Sequence, residues 1–313
     1  MAQSPALGQE RFSLQTYERV QNACIFLENL YNSTLGLVES YPHSHVYYVA
    51  SDNLLADSAL QDCSSEQAKL IGQNITRTMS LCCGNGDDLM HESLLGRNVP
   101  LPIHNATILT VANSTTGKLF HGTTAMAAGG NYTVLWEYHK GTGILPDCEY
   151  GDAVVYTALQ LSRDHNTTGT QHEMGCLNKM YDGIGIVDEA YNSTTSSQYG
   201  VYQTYKLALY LYAQNNISHA FNSSDVEILL QPPPGPGNGF YTGYLAPGTF
   251  DRTTLENAET TSIAMITLTS LIQSGPPPDY WLFYIIIGLV VAAGVAVILV
   301  LWIRIRAKFI LST

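Results

Sequence analysis

The sequence predicts a mainly helical domain followed by one transmembrane helix, and three observations support this prediction. Apolar residues recur at helical spacing through most of residues 1–273. Segments that combine a glycine turn with a following helix occur several times. A long run near the C-terminus, 280–303, contains no charge. We therefore expect repeated helical hairpins in one large domain, with a membrane anchor after it.

The helical spacing predicts seven helices in the large domain, and one block interrupts them. The helices are expected at 9–30, 47–60, 64–80, 152–162, 170–180, 199–215 and 255–272. In NATILTVANSTTGKLFHG and GGNYTVLWEYHKG, short alternating runs of β-branched and aromatic residues replace the helical pattern. Such runs are typical of strands, so the block 99–140 predicts a small strand-rich excursion.

A repeated segment indicates how the helices are organised. YNSTLGLVES and YDGIGIVDEA each place a tyrosine before a Gly-hydrophobic-Val turn and an acidic residue after it. An Ala-Leu pair follows each turn glycine, Gly36 and Gly185, at the same spacing. Two further segments, 143–161 and 239–268, have the same order of glycine turn, loop and helix. The pattern predicts a helix, a reversing glycine turn and a helix with small residues, repeated around an axis.

The uncharged apolar run 280–303 fits a transmembrane helix. At about 1.5 Å per residue it is longer than the roughly 30 Å hydrocarbon core. Trp281 and Trp302 suit the two membrane interfaces. Because the tail 304–313 is basic, the positive-inside rule places it in the cytoplasm. The domain 1–273 and its Pro-rich spacer 274–279 are then expected outside, on a chain that crosses the cell membrane once.

That orientation predicts glycosylation of the outer domain. Nine Asn-x-Ser/Thr sequons are present, at Asn32, Asn74, Asn105, Asn113, Asn131, Asn166, Asn192, Asn216 and Asn222. The first residues, MAQSPALGQERFSL, contain no apolar signal-peptide segment. We expect that the signal was cleaved or lies upstream of the written start. A tail-anchored protein with a cytosolic domain is the alternative.

The charge of the outer domain excludes one class of partner. Without the three basic residues of the tail, 11 lysines and arginines stand against 26 acidic residues. Such an acidic domain does not suit nucleic acid, which binds basic surfaces. The expected partners are the lipid bilayer through 280–303 and, outside, carbohydrate or other envelope proteins.

All six cysteines lie in the predicted outer domain, at Cys24, Cys63, Cys82, Cys83, Cys148 and Cys176. An even number in an oxidising compartment favours disulfides, whose connectivity the sequence leaves open. The adjacent Cys82 and Cys83 are expected to pair elsewhere, with Cys63 as a candidate partner across a helical hairpin. Zinc binding is the alternative, but no CxxC pair is present.

The alternation of helix, glycine turn and helix resembles the α/α-toroid superfamily, which includes six-hairpin glycosidases, polysaccharide lyases and terpenoid-cyclase-like toroids. NGFYTGY followed by NAETTSIAMITL is similar to the last hairpin of such toroids, and YDGIGIVDEAY followed by YQTYKLALYLY to an inner one. With its anchor and dense sequons, the chain also resembles an archaeal membrane-anchored surface glycoprotein. Seven predicted helices are fewer than six hairpins require, which allows a partial toroid.

The toroid resemblance implies acid and base residues at the inner-helix N-termini and in the loops beside them. The matching carboxylates are Asp52, Asp152 and Glu259 at helix starts and Glu39, Glu137, Asp188 and Glu189 in adjoining turns. Paired carboxylates suit glycosidic cleavage. The tyrosines that could stack on sugars are Tyr47, Tyr48, Tyr150, Tyr202, Tyr205 and Tyr244. The alternative is that the carboxylates cap helices and the tyrosines pack in the core.

Signals for metals and cofactors are weak. Asp87, Asp88 and Glu92 could hold Ca²⁺, although they lack EF-hand spacing. His43 and His45 flank a loop and are a second candidate metal pair. Neither His91 nor His172 belongs to an HExxH site, and the sequence has no P-loop, dinucleotide fingerprint or GxSxG. We therefore expect no bound cofactor.

These observations favour a non-catalytic surface glycoprotein with an envelope or glycan-binding role. No catalytic motif is specific, and nine glycans would crowd most routes to a cleft. The alternative is a membrane-anchored glycoside hydrolase or polysaccharide lyase that uses paired carboxylates. A third hypothesis is an anchored receptor that holds a small solute in a closed apolar cavity. Exposed carboxyls about 5–10 Å apart would favour the enzyme, whereas carboxyls that cap helices or pair with Lys and Arg would favour the first hypothesis.

Overall fold

The computed structural model describes residues 5–44, 47–82, 89–103, 107–113, 133–138, 145–194, 196–230, 237–246, 249–250 and 254–274. The chain divides into two compact units, Met1–Gln273 and Ser274–Thr313. The predicted span 280–303 and the tail 304–313 belong to the second unit and lie outside the described residues. Within the described ranges, no helix has the length and apolar character needed to cross a membrane.

The first unit is mainly helical, as predicted. In its described ranges the α-helices are α1 Pro5–Asn29, α2 Ala50–Leu60, α3 Glu66–Cys82, α4 Leu89–Leu94, α5 Gly151–Arg163, α6 Thr167–Met180, α7 Glu189–Ser193, α8 Ser196–Tyr199, α9 Thr204–Ala213, α10 Ser223–Leu230 and α11 Ala258–Ser274. A π-helical turn, Gln214–Ser218, extends α9. Helices α4, α7, α8 and α10 were not predicted, because such short helices contain too few turns to show a period.

Short strands form three small sheets between the helices. The strands are β1 Tyr31–Asn32, β2 Leu37–Val38, β3 Tyr47–Val49, β4 Thr107–Asn113, β5 Thr133–Tyr138, β6 Val201–Gln203, β7 Gly243–Leu245 and β8 Thr249–Phe250. β1 pairs with β2, the second sheet has the order β3-β5-β4, and the third has the order β6-β7-β8. All pairs are antiparallel except the parallel pair of β3 and β5. β4 and β5 fall within the predicted strand-rich block 99–140.

Two helices begin later than the sequence predicted, because a strand precedes each of them. Tyr47–Val49 pairs with β5, so α2 starts at Ala50. Val201–Gln203 pairs with β7, so α9 starts at Thr204. Tyrosine and valine favour extended backbone when a partner strand is available. Helical spacing alone cannot show that such a partner lies near in space.

Three long helices begin at similar intervals along the chain. Helices α5, α9 and α11 begin at Gly151, Thr204 and Ala258, so their starts are almost evenly spaced along the chain. Helix α2 begins much earlier, and α3, α4, β4 and β5 occupy the longer interval before α5. Extended backbone precedes α2, α5 and α9, at the residue before each helix. Helices α5, α9 and α11 therefore share the spacing of their starts, and α2, α5 and α9 share the extended residue that precedes each of them.

The two matching turns require their glycines for different reasons. Gly36 has a left-handed φ of +73°, and a Cβ there would lie 2.4 Å from Thr78 Oγ1. In the second turn the left-handed residue is Gly183, with φ of +96°. A Cβ on Gly185 would instead lie 2.4 Å from both Tyr202 Cδ1 and Tyr244 Oη. Gly185 is therefore required by close packing, whereas Gly36 and Gly183 supply the unusual backbone conformation.

Small buried residues allow the helices of the repeated units to approach closely. Ala59, Ala158, Ala208 and Ala264, one from each of α2, α5, α9 and α11, are all fully buried. The hydroxyl of Thr267 in α11 donates to the carbonyl of Ala208 in α9 at 3.0 Å. Because alanine and threonine are short, such contacts bring helix backbones together while the buried hydroxyl keeps a partner.

Contacts join the first repeated unit to the last. Arg19 on α1 donates to the carbonyl oxygens of Asn238, at 2.7 Å, and Gly239, at 2.6 Å. The amide of Ala258, the first residue of α11, donates to the Ser40 carbonyl at 2.9 Å. Burial lowers the pKa of Arg19 to about 10, so its guanidinium keeps its charge at neutral pH. Segments near the two ends of the domain sequence are thus neighbours in space.

Two disulfides among the described residues confirm the prediction of disulfide bonds. Cys24 bonds to Cys63, and Cys148 bonds to Cys176. The prediction that Cys63 pairs with Cys82 or Cys83 was wrong, because packing of α1 on α2 brings the Cα atoms of Cys24 and Cys63 to 5.9 Å. The side chains of Cys82 and Cys83 lie outside the described part of the chain.

Candidate functional site

The N-terminal ends of α5, α9 and α11 bring polar side chains together. Tyr205 donates its hydroxyl hydrogen to Asp152 Oδ2 at 3.2 Å. His91, from α4, lies with its Nε2 atom 3.9 Å from Glu259 Oε1. The carboxylates of Asp152 and Glu259 both act electrostatically on Tyr205. We refer to Asp152, Tyr205, Glu259 and His91 as the helix-start cluster.

The repeated unit explains why these residues meet. Asp152, Tyr205 and Glu259 each occupy the second position of their helix, so equivalent positions of successive units converge. Acidic side chains there also interact favourably with the N-terminal end of the helix dipole. Asp152 Oδ1 additionally accepts the Ala153 amide at 2.9 Å. These three residues were candidates from the sequence, and the structure places them together.

His91 is a member of the cluster that sequence reasoning missed. Its side chain is only 7% exposed, and its ring contacts the ring of Tyr156 edge to face, with centroids 5.8 Å apart. The sequence showed only that His91 belongs to no HExxH site. The short helix α4 that places it had no detectable period, so no sequence signal linked His91 to Glu259.

The protonation of Tyr205 suits a hydrogen-bond donor. Burial raises its pKa well above the usual value, and the charges of Asp152 and Glu259 raise it further. The hydroxyl therefore keeps its proton at neutral pH and can donate to the Asp152 carboxylate. The arrangement places a phenol against one carboxylate and an imidazole near a second, and these are groups used in acid and base chemistry.

A buried ion pair lies beside the cluster. Lys206 Nζ donates to Asp188 Oδ2 at 2.5 Å, and their side chains are 3% and 0% exposed. The same oxygen accepts the Gly151 amide at 2.9 Å, and Oδ1 accepts the Tyr191 amide at 3.0 Å. Asp188 thus caps α7, accepts a hydrogen bond from the first amide of α5 and neutralises the charge of a lysine in α9. These contacts give Asp188 a structural role.

The other predicted carboxylates have different surroundings. Asp52 and Glu39 are buried, with 6% and 8% of their surfaces exposed. Glu189 is exposed in the first turn of α7. The backbone of Glu137 belongs to β5, but its side chain lies outside the described residues. The structure shows two of the seven candidates, Asp152 and Glu259, acting on a shared group.

Three of the predicted sugar-stacking tyrosines lie in the core. Tyr48 is fully buried, and its hydroxyl oxygen accepts a hydrogen bond from Asn32 Nδ2 at 2.8 Å. The rings of Tyr202 and Tyr244 stack at 5.5 Å, and Tyr191 stacks on Tyr202 at 5.2 Å. We refer to Tyr191, Tyr202 and Tyr244 as the tyrosine stack. Because Tyr48, Tyr202 and Tyr244 are covered by protein, the expectation that they present ring faces to a ligand is corrected.

Two other tyrosines retain partial exposure, and one side chain is not described. Tyr150 precedes α5 and is half-buried. Tyr205 is half-buried within the helix-start cluster. The backbone of Tyr47 forms β3, but its side chain lies outside the described residues. Tyr150 and Tyr205 are thus the ligand-binding candidates with some exposed surface.

The candidate metal groups from the sequence are only partly described. Glu92 is paired with Arg97 at 2.8 Å, which offers the carboxylate a charge partner within the protein. Asp87, Asp88 and His45 lie outside the described ranges. His43 is exposed and adopts a left-handed φ of +64°. The predicted Ca²⁺ and His43–His45 sites therefore stay predictions.

A groove lies between α2 and α3, and none of its lining residues belongs to the helix-start cluster. Its volume is about 290 Å³, and its lining residues are Asp57, Gln61, Lys69, Gly72, Gln73 and Thr76. The groove is open to solvent, unlike the closed apolar cavity expected of a small-solute receptor. This groove does not support the receptor hypothesis.

Comparison with known proteins identifies no relative: no family model, curated protein or solved structure matches this chain. Its function therefore has to be inferred from the chemistry of its own residues.

Proposed function

We propose that this chain is a single-pass cell-surface glycoprotein whose large outer domain has a non-catalytic role, in the cell envelope or in glycan binding. The observation that carries the proposal is the use of predicted catalytic carboxylates as structural groups. Asp188 caps α7 and pairs with Lys206 inside the protein. Asp152 accepts a hydrogen bond from Tyr205, and Glu259 lies against His91. The uncharged run 280–303 and the nine sequons support the anchored, exported topology.

The domain itself is proposed to be an α/α-toroid or partial toroid. Helices α2, α5, α9 and α11 would form its inner layer, since they begin the repeated units and contain fully buried alanines. The contacts of Arg19 with Asn238 and Gly239 support closure, because they join the first unit to the last. The resemblance to an archaeal membrane-anchored surface glycoprotein is also part of the proposal, and it rests only on the predicted membrane anchor and the sequons.

The sequon asparagines differ in how their amide nitrogens are used. Asn166, Asn192 and Asn222 are exposed, and Asn166 caps α6 through Oδ1, which leaves Nδ2 for a glycan. Asn32 is half-buried, and its Nδ2 donates to the buried Tyr48 hydroxyl. The Nδ2 of Asn216 donates to the Tyr212 carbonyl at 2.9 Å. A glycan is attached at Nδ2, so modification at Asn32 or Asn216 would disrupt an existing contact.

We expect glycans at Asn166, Asn192 and Asn222 and little or none at Asn32. Glycopeptide mass spectrometry of the full chain isolated from its native membrane measures the occupancy of each site. The matched control is a pair of variants: Asn192→Gln should remove the mass of one glycan, whereas Asn32→Gln should leave the total unchanged. A native chain with every sequon unmodified would contradict the proposed glycoprotein.

The helix-start cluster supports a second candidate, a carbohydrate-active enzyme. Asp152 accepts a hydrogen bond from the half-buried Tyr205, and the charges of both Asp152 and Glu259 raise the pKa of its hydroxyl. Glycosidases use two carboxylates about 5–10 Å apart, one as an acid and one as a base or nucleophile. In this hypothesis Asp152 and Glu259 supply those roles, and Tyr205 positions Asp152 through its hydrogen bond.

Our primary proposal predicts that wild-type protein releases no more reducing sugar ends from a polysaccharide panel than the double variant Asp152→Asn, Glu259→Gln. If the domain were an enzyme, each single change would lower kcat by about 10²–10⁴-fold, the usual contribution of an acid or base. Glu227→Gln, which alters an exposed carboxylate that is not among the catalytic candidates, is the matched control. Activity that survives in the control and disappears in the double variant would replace our primary proposal with the enzyme.

A further inference from the structure

We propose that Asp147, Cys148, His172 and Cys176 form a binding site for Zn²⁺ or a similar thiophilic divalent cation when the Cys148–Cys176 disulfide is reduced. We refer to these four residues as the Asp-Cys-His-Cys cluster. The carboxylate, imidazole and sulfur ligand atoms all lie within 4.8 Å of one another. The cluster is separate from the helix-start cluster and does not depend on the proposed surface location.

The secondary structure explains why the four residues of the Asp-Cys-His-Cys cluster lie close together. His172 and Cys176 are one helical turn apart on α6, so they occupy the same face of the helix. Asp147 and Cys148 are adjacent in the loop that leads into α5. Packing of α5 on α6 brings this loop against that face. The helix and the loop thus each contribute two potential ligands from positions defined by the backbone.

The distances already approximate a tetrahedral site. Bonds of about 2.0–2.3 Å to a tetrahedral zinc ion place ligand atoms about 3.3–3.8 Å apart. His172 Nε2 lies 3.0 Å from Asp147 Oδ2, 3.9 Å from Cys148 Sγ and 3.8 Å from Cys176 Sγ. Cys148 Sγ lies 3.5 Å from Asp147 Oδ1. The main change required is separation of the two sulfur atoms, which reduction of their bond permits.

The ligand types select the class of cation. Two thiolates, one imidazole and one carboxylate match the preferences of Zn²⁺, whereas Ca²⁺ and Mg²⁺ prefer oxygen ligands. The side chains of His172 and Asp147 are 57% and 65% exposed, so a cation can enter from solvent. Cys176 is buried, which limits the freedom of one thiolate. The usual CxxC signal is missing because the cysteines come from two separate segments.

The proposed exchange balances as follows. A phosphine reductant supplies two electrons to the Cys148–Cys176 bond and becomes a phosphine oxide, and the water molecule that provides the oxygen supplies the two protons of the two thiols. Binding of the cation then releases the thiol protons to solvent. An added low-molecular-weight disulfide then accepts two electrons from the thiolates by thiol–disulfide exchange and is itself reduced to two thiols, so the Cys148–Cys176 bond reforms and the cation is released. The disulfide in the oxidised chain and the cation in the reduced chain would each connect the loop before α5 to α6. The cation would therefore hold this loop in place before the disulfide forms.

The test uses the purified full chain with Cys82→Ser and Cys83→Ser, treated with a phosphine reductant. Cys24 and Cys63 are each only 2% exposed, so mild treatment should leave their bond intact. Alkylation followed by mass spectrometry verifies that two thiols have formed. Added Co²⁺ should give the thiolate charge-transfer and tetrahedral d–d absorption bands, and one equivalent of Zn²⁺ should remove them. The oxidised chain should show neither band.

His172 is an exposed member of the Asp-Cys-His-Cys cluster, so a chain with a substitution at this position should still fold. His172→Ala should weaken Zn²⁺ binding more than about 100-fold, beyond the roughly 10–100-fold effect of outer-shell changes. Cys148→Ser with Cys176→Ser should abolish the charge-transfer band. His165→Asn changes another exposed histidine and should leave binding unchanged. A reduced chain without these bands, or a His172→Ala chain that binds Zn²⁺ as tightly as the parent, would overturn the proposal.

Discussion

Replacement of Lys206 by methionine is expected to lower the free energy of unfolding by about 3–5 kcal/mol. Methionine preserves much of the lysine stem but removes the charge that neutralises Asp188. Both side chains are almost completely inaccessible to solvent, so water cannot replace the missing ammonium group. Removal of one partner of a buried ion pair leaves an uncompensated charge, which accounts for the size of the effect. Urea unfolding of the full chain, followed by circular dichroism, measures the change.

An exposed ion pair in the same chain provides the control for Lys206→Met. Lys69 contacts Glu66 at 3.1 Å, but their side chains are 46% and 90% exposed. Lys69→Met should therefore change stability by about 0–1 kcal/mol. The double variant Lys206→Met, Asp188→Asn should be more stable than Lys206→Met alone, since no unpaired buried charge remains. Equal effects at Lys206 and Lys69 would show that the pair in the core does not stabilise the fold.

Replacement of Gly185 by alanine is expected to destabilise the domain by about 1–3 kcal/mol, the usual cost of overpacking. The added Cβ would lie 2.4 Å from atoms of Tyr202 and Tyr244. Neither ring can move freely, because Tyr202 donates to Asp182 at 2.7 Å and Tyr244 donates to the Ile184 carbonyl at 2.8 Å. Urea unfolding measures the loss, and near-ultraviolet circular dichroism should show a changed tyrosine stack.

Gly175→Ala is the matched control for the Gly185 variant, with the opposite expected sign. Gly175 lies within α6, and an added Cβ would meet no atom within 4 Å. Alanine should raise the free energy of unfolding by about 0.5–1 kcal/mol, because it restricts the unfolded chain and favours helix. Stabilisation by both substitutions would contradict the packing role assigned to Gly185.

Several parts of the fold and candidate site could be predicted because their signals are local. Apolar spacing predicted the long helices, and the matching turns at Gly36 and Gly185 indicated a repeated unit. The toroid resemblance also named Asp152 and Glu259 as candidates near helix starts. The shortest helices and the strands before α2 and α9 were missed. Their segments contain too few residues to show a period, and their conformation depends on partner strands distant in sequence.

The sequence by itself determined the mainly helical class, and it predicted a repeated unit and candidate site positions at helix starts. Tertiary structure decided the partners: Lys206 for Asp188, Cys24 for Cys63, and His172 with Cys176 for the Asp147–Cys148 loop. The physical reason is that helical period and turn chemistry depend on neighbouring residues of one segment. Ion pairing, disulfide formation and metal ligation depend on which separate segments pack together.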